Sequence, residues 1–193
     1  MPSAFTHALV GASGAQLIPD DLPKWRVALV FAVASVAPDL DVVAFSLGIP
    51  YGHMLGHRGF SHSLLCAALL AALASLVVRR WSRGGSSGLL RIWVVAFLVV
   101  ALHGALDAAT DAGLGIGFFI PFSSKRYFFP FRPIATSSVN PFRFFSARGL
   151  AVLASEALWV WLPLGLLSGL LQAVRWWRRF SSRTTVEGPS GWS

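Results

Sequence analysis

Charge is what this chain has least of. Acidic and basic residues fill only 12% of its 193 positions, about half the share of a soluble domain, so a soluble globular fold is disfavoured. Thiols are nearly absent too. The single cysteine, Cys66, excludes an intrachain disulfide and a thiolate metal cluster. Acids are scarcer than bases, 8 Asp and Glu against 16 Lys and Arg, but the arginines gather at the ends of apolar runs. Membrane topology and anionic headgroups account for them there, and no nucleic-acid partner is expected. Residues 1–5 lack the positive charge of a cleavable signal peptide, so the first helix, which carries His7, is expected to remain. There is no internal repeat and no G-x-S-x-G elbow of a serine hydrolase.

Apolar residues supply what charge does not: 55% of the chain is hydrophobic and the mean hydropathy is +0.64. Residues 62–80 and 91–112 each approach the roughly 20 residues needed to cross about 30 Å of hydrocarbon. Residues 149–174 are also long enough, end in the Trp176–Trp177 pair with Arg175, Arg178 and Arg179, and contain Pro163, which predicts a kink. Segments 3–17 and 25–37 are shorter and could be tilted, partial or re-entrant. The expectation is an all-α polytopic bundle of about four to five membrane helices, forming one domain over 1–180 with a flexible polar tail over 181–193. The Gly/Ser-rich stretch 82–88 reads as a flexible turn, and 113–148, rich in Phe, Pro and Arg, as a long ordered loop.

Positive charge orients the threading. Arg79, Arg80, Arg83 and Arg91, then Arg175, Arg178, Arg179 and Arg183, with Lys24 and Arg26, place those ends in the cytoplasm. Lys125, Arg126, Arg132, Arg143 and Arg148 on the other side partly oppose this. Alternation then brings His7, Asp39 and Asp41 (PDLD), His57 and His62 (HRGFSHS), His103, Asp107 and Asp111, and Glu156 to one membrane face, expected to be non-cytoplasmic. This convergence follows from the threading and survives inversion of the whole protein.

His103 and Asp107 stand four apart on one helix face, about 6 Å from each other, and can reach one ion. Intramembrane carboxylates cost about 2.5–3.5 kcal/mol each on insertion scales and normally need a partner. A nitrogen and oxygen donor set suits zinc first, or manganese or iron, with room for one to three ions. Simpler readings stand beside this one. PDLD could be a helix stop with an Asp cap; Ser61 or His62 could cap the next helix while Arg58 meets lipid phosphate. His53 reads as solvent-facing loop, and Asp111 as a ligand, a group orienting His103, or a helix-end polar residue.

FTH at His7, PDLD at 38–41, HRGFSHS at 57–63, HGALD at 103–107 and PFSSKRYFFPFRPI at 121–134 together resemble the LexA-regulated inner-membrane metal-dependent hydrolases of YdjM type. That family is regarded as distantly similar to zinc-dependent phospholipase C and P1-type nucleases. The resemblance implies an integral protein of the bacterial inner membrane that performs metal-assisted hydrolysis. It implies His7, Asp39, His57, His62, His103 and Asp107 as metal ligands, with Asp41 on the ion or on one of its ligands. Glu156 is similar to the late acidic ligand of the soluble relatives, although this chain lacks their preceding histidine.

In the 121–134 loop, Ser123, Lys125 and Arg126 could meet an anionic group while Tyr127, Phe128, Phe129 and Phe131 lie against acyl chains; an interfacial anchor is the plainer alternative. The expected chemistry is cleavage of a lipid or lipid-linked phosphoester by a metal-activated water. Asp41 or Asp107 would orient or deprotonate that water, and Arg58 or Arg126 would stabilise the oxyanion. A scaffold with a structural metal would close its coordination shell. A metal transporter should instead line a path through the bilayer, whereas these residues collect at one face. Oligomeric state is not readable from the sequence.

Overall fold

The computed structural model describes residues 1–82, 87–137 and 146–184. Among these residues seven α-helices follow one another: α1 (Ala4–Ser13), α2 (Lys24–Val36), α3 (Val43–Ser46), α4 (Leu64–Arg79), α5 (Ser87–Ala108), α6 (Ala147–Glu156) and α7 (Leu162–Thr184). Among the described residues the only β-pairing is two isolated bridges, Thr110 with Ile134 and Ile116 with Tyr127. The all-helical expectation holds.

The helix bounds differ from expectation in four places, each for a local reason. α2 ends at Val36, but the chain does not leave the helical path at Pro38. The chain tightens into a 3-10 segment, Ala37–Val42, where the proline sits in the first turn and its missing N–H is not needed. An apolar run of 23 residues, Lys24–Ser46, results. α4 starts at Leu64, capped by Ser63, whose Oγ accepts from the Cys66 amide at 3.1 Å, so neither Ser61 nor His62 is the cap. Its 16 residues reach about 24 Å, short of the hydrocarbon thickness. α5 ends at Ala108, leaving Asp111 outside the helix. Amides of the following loop satisfy its last carbonyls: Phe129 N donates to Ala108 O at 2.9 Å and Ile134 N to Ala109 O at 3.3 Å. Pro163 is absorbed by a wide π-turn over Ala157–Trp161 between α6 and α7. α7 continues to Thr184, so the expected tail is helical over 181–184; its remainder lies outside the described residues, as does most of the 82–88 turn.

Among the described residues, three helical runs are long and apolar enough to cross a membrane: Lys24–Ser46, Gly88–Ala108 and Ala147–Ser181. Leu64–Arg79 is a shorter apolar helix. The expected four to five spans are thus not reached by length and composition. The packing is inside-out relative to a soluble protein. In α4 the small residues Ala67, Ala71 and Ala74 are buried against α2 and α5, while Leu69, Leu73 and Leu76 face outward. Small residues at the contact let backbones approach, which is how helices associate in lipid. Gly11 shows how close: a Cβ there would lie 2.6 Å from the Phe31 carbonyl oxygen, so α1 and α2 pack backbone to backbone. This hairpin brings His7 and Asp39 to the same end.

Candidate metal centre

Four elements meet at that end. α1 supplies His7, the 3-10 segment after α2 supplies Asp39, a 3-10 turn at Phe60–His62 supplies His62, and the last turns of α5 supply His103 and Asp107. His7, His103 and Asp107 are fully buried, and Asp39 and His62 nearly so. His62 Nε2 lies 3.0 Å from His103 Nε2, 3.4 Å from Asp107 Oδ2 and 3.6 Å from Asp39 Oδ1; His103 Nε2 lies 3.5 Å from Asp39 Oδ1. These carboxylate separations are long for hydrogen bonds. They match neighbouring ligands around one ion, because bonds of about 2.0–2.1 Å in a tetrahedron set ligand atoms about 3.3 Å apart.

The other oxygen of each carboxylate turns toward α1. His7 Nε2 is 3.4 Å from Asp107 Oδ1 and 4.0 Å from Asp39 Oδ2, and the His7 ring stacks on His103 with centroids 3.8 Å apart. Both oxygens of Asp39 and of Asp107, both nitrogens of His7 and Nδ1 of His103 are buried without a hydrogen-bond partner in the protein. Orphaned buried carboxylate oxygens are costly, and a divalent cation is the partner that this donor set fits.

Asp41 and His57 do something different. Asp41 Oδ2 lies 3.1 Å from His62 Nδ1 and also accepts from Ser61 Oγ and, at 3.0 Å, from the Arg58 amide; Asp41 Oδ1 lies 2.6 Å from His57 Nδ1. With Nδ1 engaged, the lone pair of His62 Nε2 points at the cluster, the carboxylate–histidine arrangement that orients metal ligands. Asp41, His57 and His62 do converge closely enough to hold an ion, but the 2.6 Å contact is a hydrogen-bond distance, shorter than a ligand edge. We read the trio as an orienting chain. Ser61 Oγ is 2.9 Å from His62 Nδ1, yet it shares that nitrogen with Asp41, so the trio does not form the relay of a serine hydrolase. Burial alone would lower the His62 pKa, but the carboxylates of Asp107, Asp39 and Asp41 outweigh it and push it well above the ordinary value, so without a cation Nε2 holds a proton that a bound metal would displace to reach the lone pair. The same negative field attracts cations.

The remaining expected site residues fall elsewhere. Glu156 is buried outside the cluster, accepting from the Ser3 amide and, at 2.7 Å each, from the hydroxyls of Ser3 and Thr6. It anchors the start of α1 rather than an ion. Arg58 is buried with φ 62°, unusual for a side chain of its size. Its Nε faces Asp107 Oδ2 at 3.3 Å, and its terminal nitrogens donate to Ala112 O at 2.9 Å and Thr110 Oγ1 at 3.1 Å. It braces Asp107 and is spent there, not held ready for a substrate oxyanion. Arg126 is likewise committed: it donates to the carbonyls of His57, Arg58, Tyr51 and His53 at 3.1–3.2 Å and of Gly115 at 3.4 Å. Ser123 accepts from the Lys125 amide, and exposed Lys125 sits over the Tyr127 ring. Asp111 accepts twice from Thr136, at 2.6 and 2.9 Å, and staples the loop rather than orienting His103. His53 is exposed, as expected.

Sequence reasoning missed Thr110, whose spacing of three from Asp107 was the available signal. It also missed Tyr51, which stacks on His57 at 5.3 Å and carried no signal.

A helical bundle with membrane-crossing runs that buries a histidine and aspartate cluster at one end defines a membrane protein with a candidate metal centre. The chain belongs to the family described as YdjM inner membrane protein, which matches residues 1–180. It is 38% identical over 186 residues to inner membrane protein YbcI of Escherichia coli (strain K12), covering 93% of this chain and 99% of that one. No solved structure matches.

Proposed function

We propose that this inner-membrane protein is a metal-dependent hydrolase acting on a phosphoester of a lipid or lipid-linked substrate, with its site on the non-cytoplasmic side. The observation that carries the metal is the set of orphaned carboxylate oxygens of Asp39 and Asp107 beside three histidines. His62, His103, Asp39 and Asp107 would hold one divalent cation. His7 with the second oxygens of both carboxylates would hold another, so the geometry favours one or two ions over three, zinc first and manganese or iron next. A cation held there would supply Lewis acidity and a water activated at neutral pH.

The chain's own groups divide the remaining work. Asp41 fixes the ring of His62, and Arg58 fixes Asp107. Of the two aspartates considered as proton acceptors, Asp41 already serves four groups, whereas Asp107 keeps both oxygens without a hydrogen-bond partner. Lys125 and Arg132 are the exposed cations of the 121–134 loop, and of these Lys125 would meet a phosphate-bearing group. The motif resemblance to metal-dependent hydrolases of YdjM type, a family regarded as distantly similar to phospholipase C and P1-type nucleases, implies the same chemistry. The orientation rests on Lys24, Arg79, Arg80, Arg91 and Arg175 at the opposite helix ends.

Near-complete burial of the cluster favours a second reading, a structural metal with closed coordination. Elemental analysis of detergent-purified protein beside His103→Ala and Asp107→Ala tests the centre. Stoichiometric metal lost in folded variants is expected, and none even after reconstitution overturns it. A phosphodiester screen of the loaded protein then separates enzyme from scaffold, since a structural metal gives no turnover.

A further inference from the structure

At the end of the bundle away from the cluster, α1 and α7 part to leave a furrow. Two adjoining cavities, of about 320 and 370 Å³, share Ala12 and Gln16. The first runs from Leu9 and Trp161 past Gly165 and Ser168; the second opens at Lys24, Trp25, Gln172 and Arg175. The floor is open at Gly165, where a Cβ would meet nothing within 4 Å. The furrow is therefore mainly apolar along the helices, with Ser13, Gln16 and Ser168 as its polar lining, and cationic at its mouth.

The mouth lies at headgroup depth. Trp25, Trp176 and Trp177 are each more than 60% exposed there, the position aromatic belts take at membrane interfaces. The charge balance is positive. Asp20 is already paired with Lys24 at 3.1 Å and Arg179 at 3.0 Å. Lys24 turns its ammonium inward onto the carbonyls of Ala15, Ile18 and Pro19. Arg175 uses one terminal nitrogen on the Gln16 carbonyl and stays half-exposed. Gln16 itself bonds Ser168 through its amide nitrogen at 3.1 Å and keeps its side-chain oxygen shielded and without a partner.

We propose that this furrow is a binding site for an anionic phospholipid of the leaflet opposite the metal centre, with the phosphate at Arg175 and an acyl chain along Gly165. Charge complementarity selects the occupant: a neutral helix face would leave Arg175 unanswered, and a zwitterionic lipid would answer it less well.

Native mass spectrometry of the full chain with added phosphatidylglycerol, or phosphatidylcholine of the same acyl chains, tests this. Wild type should retain phosphatidylglycerol in preference. Arg175→Ala should lower that retention about fivefold, the worth of one interfacial cation, and Arg175→Lys should restore it. Gly165→Leu should block retention by filling the furrow, at unchanged metal content and unfolding temperature. Equal retention of the two lipids by wild type, or undiminished phosphatidylglycerol retention in Arg175→Ala, overturns the site. So does a Gly165→Leu protein that loses a dimer while keeping its lipid, which would make the furrow a packing face for a second copy.

Discussion

Glu156 and Asp107 are equally buried and lie toward the same end of the bundle, yet the protein surrounds them in opposite ways. Glu156 receives the Ser3 amide and the Ser3 and Thr6 hydroxyls, and Thr6 is itself held by the Trp161 indole at 2.7 Å. Asp107 receives no hydrogen bond at either oxygen, and neither does Asp39 beside it. A buried carboxylate with its donors in place is complete within the fold. Asp39 and Asp107 instead face histidine nitrogens at ligand spacing, with the Arg58 guanidinium beside them, its Nε 3.3 Å from Asp107 Oδ2, and under the proposed function a metal cation would complete them. The difference separates a structural acid from a functional pair more sharply than burial or residue type does.

The largest effect should come from Asp107. Asp107→Ala is expected to abolish stoichiometric metal, read by elemental analysis. Stripping wild type with a chelator should lower its unfolding temperature, because a bound ion at a thousand times its Kd stabilises by about 4 kcal/mol. The same treatment should leave the unfolding of Asp107→Ala unmoved. A chelator-insensitive wild type would erase the contrast with Glu156.

Glu156→Ala is expected to invert that pattern. It strands the Ser3 amide and the buried hydroxyls and should destabilise by about 3 kcal/mol, seen in thermal melts, while metal per protein stays at the wild-type level. Loss of metal in a folded Glu156 variant would return this acid to the ligand set that the family resemblance implied.

How much of this was readable in the sequence depended on distance along the chain. The gathering of His7, Asp39, His62, His103 and Asp107 at one end follows from alternating threading and needs only helix positions. The different duties of Asp39 and Asp41 do not, because they depend on the chain tightening to 3-10 geometry at Ala37–Val42. At three residues per turn, positions two apart point to different sides, so Asp39 faces the ions' place and Asp41 faces His57 and His62. Pro38 signalled a helix stop, and α2 does end at Val36; the 3-10 turn that follows was not signalled. The duties of Arg58 and Arg126 were hidden for another reason. Their partners are backbone carbonyls, a hydroxyl and the Asp107 carboxylate, all distant in sequence, and composition cannot distinguish a guanidinium that binds its own fold from one that awaits phosphate.

Asp41 offers an intermediate test. Asp41→Asn keeps the shape but weakens the hold on His62 Nδ1, and loss of such an orienting partner costs about 10–100-fold in metal affinity. Competition with a metal-sensitive dye should show that weakening with stoichiometry preserved. If stoichiometry falls instead by one ion, Asp41 and His57 ligate directly and the trio is a further site rather than an orienting chain.

The smallest effects distinguish Lys125 from Arg126 in the 121–134 loop. Arg126→Ala removes the ties from this loop to the carbonyls of 51–58 and should cost about 1–3 kcal/mol in stability, with metal retained. Lys125→Ala touches only the Tyr127 ring face, so its stability should stay within about 0.5 kcal/mol of wild type. Any change it makes should appear instead in the KM for an anionic phosphoester. A shifted KM at unaltered melting would place substrate at this loop, whereas unaltered kinetics together with weaker membrane partitioning would make Lys125 an interfacial anchor.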